Sequence, residues 1–454
     1  MNIFIHTRDL RIYDNTTLIA QSYNESNAII PIFVFIKKQI DNNVNKYFSN
    51  NMVQFMIESL EELDSEYKRK GSRLHFFEAE NYEDILNRID DKKEINSIGI
   101  NFDYSPYARK RQDDIRKWCN TRNITFYCHE DHLLYPLLGG ETLNGTGHAY
   151  KVYTPFKNRV MKGKVESVDK YNDFTFIKIN GLGTIDIHKF YKENPDIMLQ
   201  GGRKLGLKQL TKVSKEQKNY TKKRDLLTYK TTLLSAYINL NVISIREVYA
   251  TCRVNSGIVR ELIWRDFYYN ILWFYPHVVG NSFNPKFDKI AWRYSKSDFE
   301  KWCNGETGYP VVDAAMRQMN TIGYMHNRCR MIVASFLTKN LLIDWRWGER
   351  YFANMLTDYN ISANNGGWSS VTGNAPHSLE YWRIFNPWTQ SKKYDPDCIY
   401  IKEWIPELKD VSPKDIHKWE DAYGDYGDID YPKPMINYKD SRERALKEYK
   451  KAVK

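Results

Sequence analysis

Short apolar runs alternate with amphipathic stretches over the first 130 residues of the chain. Between the runs, apolar residues recur at helical spacing, as they do over 52–70 and 106–122. Alternation of apolar strands with helices predicts a doubly wound, Rossmann-like parallel sheet that is covered on both faces. No G-x-G-x-x-G turn follows the first strand, so the dinucleotide-binding fingerprint is missing. The predicted sheet has five strands, at 3–6, 29–36, 73–78, 97–102 and 124–128.

The periodicity fades after residue 130 and becomes helical after residue 202. Glycines punctuate the polar stretch 131–202, and so long an irregular segment is uncommon inside one compact domain. We therefore predict an α/β domain at 1–130, an interdomain linker at 131–202 and an all-helical domain at 203–454. The clearest helical patterns of the last part lie at 258–273, 310–321, 325–339 and 347–357.

Targeting and cysteine patterns limit the class of protein. No run of eighteen apolar residues is present, and the first residues lack the basic and apolar regions of a secretory signal. The six cysteines are scattered without a C-x-x-C pair, which argues against a zinc site, an iron–sulfur cluster and a disulfide framework. We therefore expect a soluble intracellular protein, in the cytoplasm or nucleus and not secreted, with no metal site.

The charge balance favours a polyanionic partner. The formal net charge is +11 and the isoelectric point is near 9.0, which is compatible with nucleic-acid binding. Residues 204–224 are dense in lysine and arginine, with Glu216 as the only acid. This stretch is either a solvated helix face or a surface that follows phosphates.

Two stretches of the helical part carry residues suited to binding a base. Glu261, Trp264 and Arg265 have helical spacing and share one face, where they could hold a planar polar ligand. The alternative is a surface ion pair beside a core tryptophan. In 325–336, Asn327 and Met331 also share a face, and asparagine can both donate to and accept from a base edge.

A third stretch, 358–370, contains Asn364 followed closely by Gly366 and Gly367. Glycines permit close approach of the backbone and left-handed conformations. This composition predicts a loop placed against a flat ligand, with an ordinary turn as the alternative.

Several long motifs, in a fixed order, resemble those of the photolyase/cryptochrome flavoprotein family, and most of all those of its class I members, which act on cyclobutane pyrimidine dimers (CPD). The resemblance extends from the first strand to about residue 434, essentially the whole chain. It rests on RDLRIYDN (8–15), VYTPFKNRV (152–160), TGYPVVDAAMRQM (307–319), MHNRCRM (325–331), LLIDWRWGERYF (341–352), ANNGGW (363–368) and RIFNPWTQ (383–390).

The resemblance implies a helical domain that holds FAD in a U-shaped form. Leu233 stands where close bacterial relatives carry arginine, and Asn360 stands where they often carry aspartate. Asn364 aligns with the residue facing the reactive ring nitrogen of the flavin, and Arg330 with Asp358 would form an ion pair beside the ring. The implied phosphate-side contacts are Tyr220, Thr231, Thr232, Leu233, Leu234 and Ser235, and the implied ring-side contacts are Arg265, Arg330, Asp358, Tyr359, Asn360 and Asn364.

The resemblance also implies an electron relay and a lesion site. Trp302, Trp345 and Trp368 match tryptophans that connect the flavin with the protein surface. A further tryptophan of the family is absent, since Ser370 stands in its place, and either binding is weaker or Trp388 fills the pocket. The implied DNA contacts are Arg224, Glu261, Trp264, Arg265, Asn327, Arg328 and Met331. Among them, Glu261 and Asn327 would hydrogen-bond the flipped bases, and Trp264 would be the stacking wall for them.

The implied function is light-driven repair of UV-damaged DNA by a monomer. Excited reduced FAD would give an electron to the dimer, its cyclobutane bonds would open, and the electron would return. The rivals are a cryptochrome photoreceptor, a (6-4) photolyase, which would carry histidines at 327 and 331, and a flavin-free DNA-binding protein. Folate, deazaflavin, flavin and an empty site stay open for the antenna chromophore, because Ser105 stands where folate-binding relatives carry glutamate.

Overall fold

One parallel sheet forms the N-terminal part of the molecule. The computed structural model describes residues 1–24, 28–375 and 380–454. The strands of the sheet lie side by side in the order β3-β2-β1-β4-β5, and each neighbouring pair is parallel. They are β1 (Asn2–His6), β2 (Ile29–Ile36), β3 (His75–Ala79), β4 (Ser97–Ile100) and β5 (Thr125–Tyr127).

The central strands are apolar because both faces of the sheet are covered. All residues of β1 and β2 are buried, and Ile3 pairs with Ile30 on one side and with Ile98 on the other. Continuous burial of this kind is typical of a parallel sheet between two helical layers. The predicted doubly wound α/β fold with a helical remainder is thereby confirmed.

Helices make up most of the regular structure outside the sheet. Those that precede residue 203 are α1 (Thr16–Asn24), α2 (Lys37–Ile40), α3 (Asn50–Arg69), α4 (Tyr82–Asp90), α5 (Pro106–Asn120) and α6 (Tyr153–Val160). Those that follow are α7 (Arg203–Glu216), α8 (Tyr220–Lys223), α9 (Ser235–Asn239), α10 (Ile245–Cys252), α11 (Ser256–Phe274), α12 (Lys296–Asn304), α13 (Pro310–Ile322), α14 (Asn327–Ser335), α15 (Trp345–Met355), α16 (Ile361–Thr372), α17 (Pro387–Tyr394), α18 (Ile399–Trp404), α19 (Pro413–Ile416), α20 (Trp419–Ala422) and α21 (Tyr438–Val453).

Shorter elements complete the chain. Residues Phe336–Asn340 continue α14 as a π-helical turn. Single 3₁₀ turns lie at His188–Phe190, Gln217–Asn219, Pro276–Val278, Pro285–Lys289, Pro406–Leu408 and Tyr423–Asp425. Between β5 and α7 the described chain is mostly irregular, as the glycine-rich pattern predicts. Where one independently folding unit ends and the next begins stays a prediction, at residues 130 and 202. None of the helices in the described ranges is both long and apolar enough to cross a bilayer.

The motif 8–15 joins the sheet to the helices. It follows β1, at the point where the strand order reverses, which is where doubly wound sheets form a crevice. Arg11 donates to Asp131 at 2.6 Å, and Arg246 of α10 donates to both Asp14 and Asp131 at 2.9 and 2.8 Å. We call Arg11, Asp14, Asp131 and Arg246 the interface charge cluster. The side chains of its members are at most 7% exposed.

Candidate functional site

A cavity of about 180 Å³ lies where α11, α14 and α16 pack together. Most of its wall is apolar, and a few polar groups converge on it, which is the usual character of a cofactor or ligand pocket. The predicted site residues in this wall are Asn327, Arg330, Met331, Asp358, Tyr359, Asn360, Asn364 and Trp368. The structure thus gathers residues from three separate motifs around one cavity.

A fixed ion pair forms part of the cavity wall. Nη2 of Arg330 lies 3.0 Å from each carboxylate oxygen of Asp358, and Nε of Arg330 donates to the carbonyl of Met325 at 2.8 Å. The guanidinium also lies 5.7 Å from the ring centre of Tyr324. Charge-assisted hydrogen bonds from Nη2 to the carboxylate and from Nε to a carbonyl together restrain the orientation of the guanidinium. The cation and the carboxylate are therefore held in fixed positions in the cavity wall. Their contact with a flavin ring, which the resemblance implies, stays a prediction.

One predicted phosphate-side residue, Thr231, approaches this ion pair through Tyr324. The hydroxyl of Thr231 is 3.2 Å from that of Tyr324, the residue beneath Arg330. Tyr220 is buried, and Leu233 has a φ of 52°, a left-handed conformation that a non-glycine residue adopts at a cost. Gln209 donates to the carbonyl of Thr232 at 2.8 Å, which fixes the segment before α9. Contact of this segment, 231–235, with a pyrophosphate stays a prediction.

The predicted loop at 358–370 is wrong, because residues 361–372 form α16. Asn360 caps this helix by accepting from the amides of Ser362 and Ala363, both at 3.1 Å. Gly366 lies inside the helix with ordinary helical backbone angles. A Cβ at this position would lie 2.1 Å from the ring of Tyr268 on α11. Its glycine therefore permits close packing of two helices rather than a turn.

The amide of Asn360 is committed to the protein. Its nitrogen donates to Asn239 at 2.8 Å and to the hydroxyl of Tyr269 at 2.7 Å, while its oxygen caps α16. These hydrogen bonds fix the side chain of Asn360 in the cavity wall, and its contact with the cofactor stays a prediction. Asn239 is itself held by Arg8 and donates to the carbonyl of Tyr359 at 2.7 Å. The motif after β1 thus supports the wall of the cavity.

A buried carboxyl group that the sequence analysis missed lies behind Asn364. The amide nitrogen of Asn364 is 3.1 Å from Oε1 of Glu349 and 3.0 Å from the Glu349 carbonyl. Glu349 is 5% exposed. Burial raises the pKa of Glu349 to about 7, against the hydrogen bond from Asn364, which lowers it. The only sequence signal for this residue was its position inside the motif 341–352.

Replacement of Glu349 by glutamine should flatten the pH dependence of stability. A carboxyl whose pKa rises on folding from 4.5 to about 7 contributes stability below pH 4.5 and loses it as the pH rises through 7. The free energy of unfolding of the wild type should therefore fall by about 2–3 kcal/mol between pH 5 and pH 8.5. That of Glu349→Gln should lack this decrease. Denaturant titrations at both pH values measure this difference. The exposed Glu300→Gln is the control, and identical pH profiles for Glu349→Gln and wild type would contradict the assignment.

The three predicted relay tryptophans are deeply buried. Trp302, Trp345 and Trp368 are 0%, 1% and 2% exposed. Trp368 lines the cavity, and its ring centre is 6.2 Å from that of Trp302. The predicted end of the relay at the protein surface is therefore not among these three residues, because apolar packing of the helical core encloses each of them. Their redox role stays a prediction.

Ion pairs engage the predicted lesion-binding residues. Glu261 pairs with Arg224 and also lies 3.3 Å from Nε of Arg260. Arg328 is 2.9 Å from Asp225 and stacks over the ring of Tyr394. These pairs join α8 to the neighbouring helices α11 and α14 and form a charged group that we call the rim pairs.

Two predicted contacts lie elsewhere. Arg265 donates to the carbonyl of His132 at 2.6 Å and packs on Tyr269, so the structure does not bring it together with the rim pairs. Trp388 stacks on Tyr309 with ring centres 4.6 Å apart and lies outside the residues that line the cavity. The alternative in which Trp388 fills the space left by the missing tryptophan at Ser370 stays a prediction.

Comparison with known proteins agrees with this arrangement. Residues 2–171 match the family model described as DNA photolyase, and residues 258–451 match the FAD binding domain of DNA photolyase. The deoxyribodipyrimidine photo-lyase of Escherichia coli is 31% identical over 98% of this chain and 98% of its own length. The archaeal photolyase of Sulfolobus tokodaii, which holds two FAD molecules, has a TM-score of 0.89 at 37% identity, over 99% of this chain and 100% of that chain.

A cryptochrome from Synechocystis has the same TM-score, 0.89, at 24% identity over 98% of both chains, and this likeness shows the fold alone. The family models, by contrast, span both the sheet and the helices that form the cavity, and the relatives match nearly the whole chain. The chain therefore belongs to the DNA photolyase family, and its helical part is the FAD-binding domain of that family.

Proposed function

We propose that this protein is a light-dependent deoxyribodipyrimidine photo-lyase that opens cyclobutane pyrimidine dimers in DNA. The observation that carries the proposal is that one cavity wall holds the Arg330–Asp358 pair, Asn364 and the two predicted lesion contacts Asn327 and Met331. A cofactor site and a base-reading site therefore share one space. When bound there, FAD supplies the light-driven electron that opens the dimer.

Residues of the cavity wall would bind the flavin, orient the damaged bases and exclude water from both. Arg330 fixes a positive charge beside the ring system, and Asn364 is oriented by Glu349. Asn327, whose amide nitrogen is 4.0 Å from the sulfur of Met331, offers donors and an acceptor to a base edge. Met331 and Trp368 line the cavity with apolar surface that keeps water from the reacting bonds.

The rim pairs supply charge for the DNA backbone. Arg224 and Arg328 are held by carboxylates in the protein, so they are already oriented before DNA binds. Phosphates can then replace or join these carboxylates as partners. A dimer is already distorted, so moving it out of the duplex costs less than flipping an intact pair. Selection of damaged DNA follows from this difference.

Loss of the Glu261 carboxylate should weaken repair without abolishing it. In Glu261→Ala one strong hydrogen bond to the flipped dimer is lost, and Arg224 loses its partner. We expect a loss of about 1–3 kcal/mol in transition-state stabilisation, measured as dimer affinity together with the quantum yield of repair. Glu216→Ala, an exposed acid of α7, should behave as wild type. Unchanged affinity and yield in Glu261→Ala would refute the role.

Lesion choice follows from the two residues predicted to face the lesion, Asn327 and Met331, because neither side chain is an acid or a base. Repair of a (6-4) photoproduct requires transfer of a proton, which neither Asn327 nor Met331 can provide near neutral pH. His326, the nearest candidate in sequence, caps α14 by accepting from the amide of Arg328 at 3.1 Å. Burial lowers the pKa of His326 to about 4, although Asp225 opposes this shift, so the imidazole is neutral at pH 7.

We therefore expect light-dependent repair of cyclobutane dimers and no repair of (6-4) photoproducts. The test uses protein reconstituted with excess FAD and oligonucleotides of one sequence that carry either lesion, with a dark sample as control. Absence of flavin absorption after reconstitution would show that the cavity is not an FAD site. Restoration of the (6-4) photoproduct with the dimer untouched would overturn the assignment to cyclobutane dimers.

A flavin is the antenna chromophore that the comparisons favour. The Sulfolobus tokodaii photolyase carries a second FAD, and its fold covers 99% of this chain. Ser105, the position that departs from folate-binding relatives, caps α5 by accepting from the amide of Ala108 at 3.3 Å. Chromatography of the chromophores released from purified protein distinguishes flavin from folate and deazaflavin. Monomeric state and intracellular location stay predictions.

A further inference from the structure

A linker residue lies flat against the tryptophan proposed as the stacking wall for the lesion. The ring centres of Tyr153 and Trp264 are 3.6 Å apart, and the ring planes differ by 4°. Tyr153 begins α6 and is 9% exposed. Trp264 also meets Tyr268, a residue of the cavity wall, at 5.6 Å between ring centres. The stack is thus continuous with the cavity.

The face-to-face stack of Tyr153 and Trp264 is maintained by further contacts of both side chains. Ring quadrupoles favour offset or edge-to-face arrangements over a face-to-face stack. Here the hydroxyl of Tyr153 donates to the carbonyl of Arg260 at 3.1 Å, one turn before Trp264 on α11. Phe267 meets both rings edge-on, at 5.8 Å from Tyr153 and 5.6 Å from Trp264. The phenol is therefore tethered to the same helix that carries the indole.

The stack determines how Trp264 can meet a base. Tyr153 covers one face of the indole, so a base cannot stack on that face. Rotation of Trp264 about its side-chain bonds would break the stack and the packing of Phe267. The plane of the indole is therefore fixed before DNA binds. Binding of the lesion then does not have to order this side chain, so it loses less conformational entropy.

We propose that Tyr153 is a positioning residue of the lesion site, which holds the indole of Trp264 in the orientation that accepts a flipped base. The proposal rests on the proposed function, because it requires Trp264 to act as the stacking wall. It gives the linker a share in damage recognition, although Tyr153 need not touch the DNA. Tyr153 acts through Trp264, so the effects of the two residues on binding should not be independent.

A double-mutant cycle tests this dependence. The variants are Tyr153→Leu, Trp264→Leu, the double variant, Tyr153→Phe and the control Thr154→Ala, an exposed neighbour on α6. For each, FAD content, affinity for a dimer-containing duplex and for the same duplex undamaged, and the repair rate at saturating dimer are measured. Should Tyr153→Leu fail to fold, Tyr153→Met takes its place in the cycle.

Tyr153→Leu is expected to weaken dimer binding about three- to tenfold, with undamaged binding, FAD content and saturated repair rate unchanged. Tyr153→Phe, which keeps the ring, should lose about twofold, and Thr154→Ala nothing. In the Trp264→Leu background, Tyr153→Leu should add less than about twofold.

The outcomes separate the two proposals. If Trp264→Leu binds the dimer as tightly as wild type, then Trp264 is not a stacking wall, and the proposed lesion site is refuted. If Trp264→Leu weakens binding, two results overturn the positioning role alone. One is unchanged dimer affinity in Tyr153→Leu, and the other is a double variant in which the two losses multiply.

Discussion

Replacement of Trp368 by phenylalanine is expected to remove light-driven reduction of bound flavin while the protein stays folded and loaded with FAD. Among the three predicted relay tryptophans, Trp368 lines the cavity, and its ring centre is 5.0 Å from that of Phe352 and 6.2 Å from that of Trp302. Phenylalanine keeps an aromatic ring in this packing but lacks the easily oxidised indole. The rate of photoreduction should therefore fall by more than an order of magnitude.

The measurement follows flavin absorbance under blue light with an external reductant. Protein that is reduced chemically beforehand should repair dimers at the wild-type rate, because that route does not need the relay. Trp419→Phe is the matched control, since Trp419 is 1% exposed, against 2% for Trp368, but packs on Tyr426 and Tyr431 and is not among the residues that line the cavity. Wild-type photoreduction in Trp368→Phe would show that electrons reach the cavity by another route.

The same assay on Trp302→Phe and Trp345→Phe tests the rest of the predicted relay. Trp302 is in direct ring contact with Trp368, so its loss should slow photoreduction if it is the next member. Because all three indoles are buried, a relay through them would need a fourth group to exchange electrons with the solvent. Sequence alone could not reveal this, since exposure of a tryptophan depends on elements that are far away in the chain.

Local pattern was enough to predict the sheet. Each predicted strand overlaps an observed one, because strands buried on both faces consist mostly of apolar residues, as Ile29–Ile36 does. The helix α16 was missed for the opposite reason. Gly366 lowers helix propensity locally, but a contact with Tyr268, almost a hundred residues earlier, requires glycine there.

The sequence motifs identified residues that line the cavity, but not the residues that hold those side chains in place. Asn364, Arg330 and Asp358 could be placed by resemblance, and the structure puts all three in one wall. Their supports are long-range pairings that no local pattern encodes. Glu349 meets Asn364 from another helix, and Tyr153 meets Trp264 from the linker. A sequence gives the identity of each side chain. It does not show which distant side chain that residue contacts, and this contact determines the residue's role.

The motif 8–15 shows the same limit in its charged residues. Its arginines could have been read as phosphate ligands, yet Arg11 donates to Asp131 and to the carbonyl of Asn241 at 3.1 Å. Burial alone would raise the pKa of Asp131, but the charges of Arg11 and Arg246 outweigh it and hold that pKa well below its usual value. Both carboxylates of the interface charge cluster accept from Arg246.

Replacement of Arg246 by methionine should therefore destabilise the molecule strongly. Methionine fills a similar volume but leaves Asp14 without its bidentate partner and takes one of two cations from Asp131. Removal of one partner from a buried ion pair typically costs about 3–5 kcal/mol, because an uncompensated charge stays buried. We expect a loss of that size in the free energy of unfolding, measured by denaturant titration at pH 7.

The pH dependence of the loss distinguishes charge from packing. A carboxylate with a lowered pKa contributes stability above about pH 4, its unfolded value, and loses it as the pH falls through the folded value. The difference between wild type and Arg246→Met should therefore shrink as the solution is acidified below pH 4. Arg253→Met, an exposed arginine just after α10, should change stability by no more than about 0.5 kcal/mol. If Arg246→Met is as stable as wild type at pH 7, or if its deficit does not depend on pH, then the interface charge cluster does not hold the sheet against the helices.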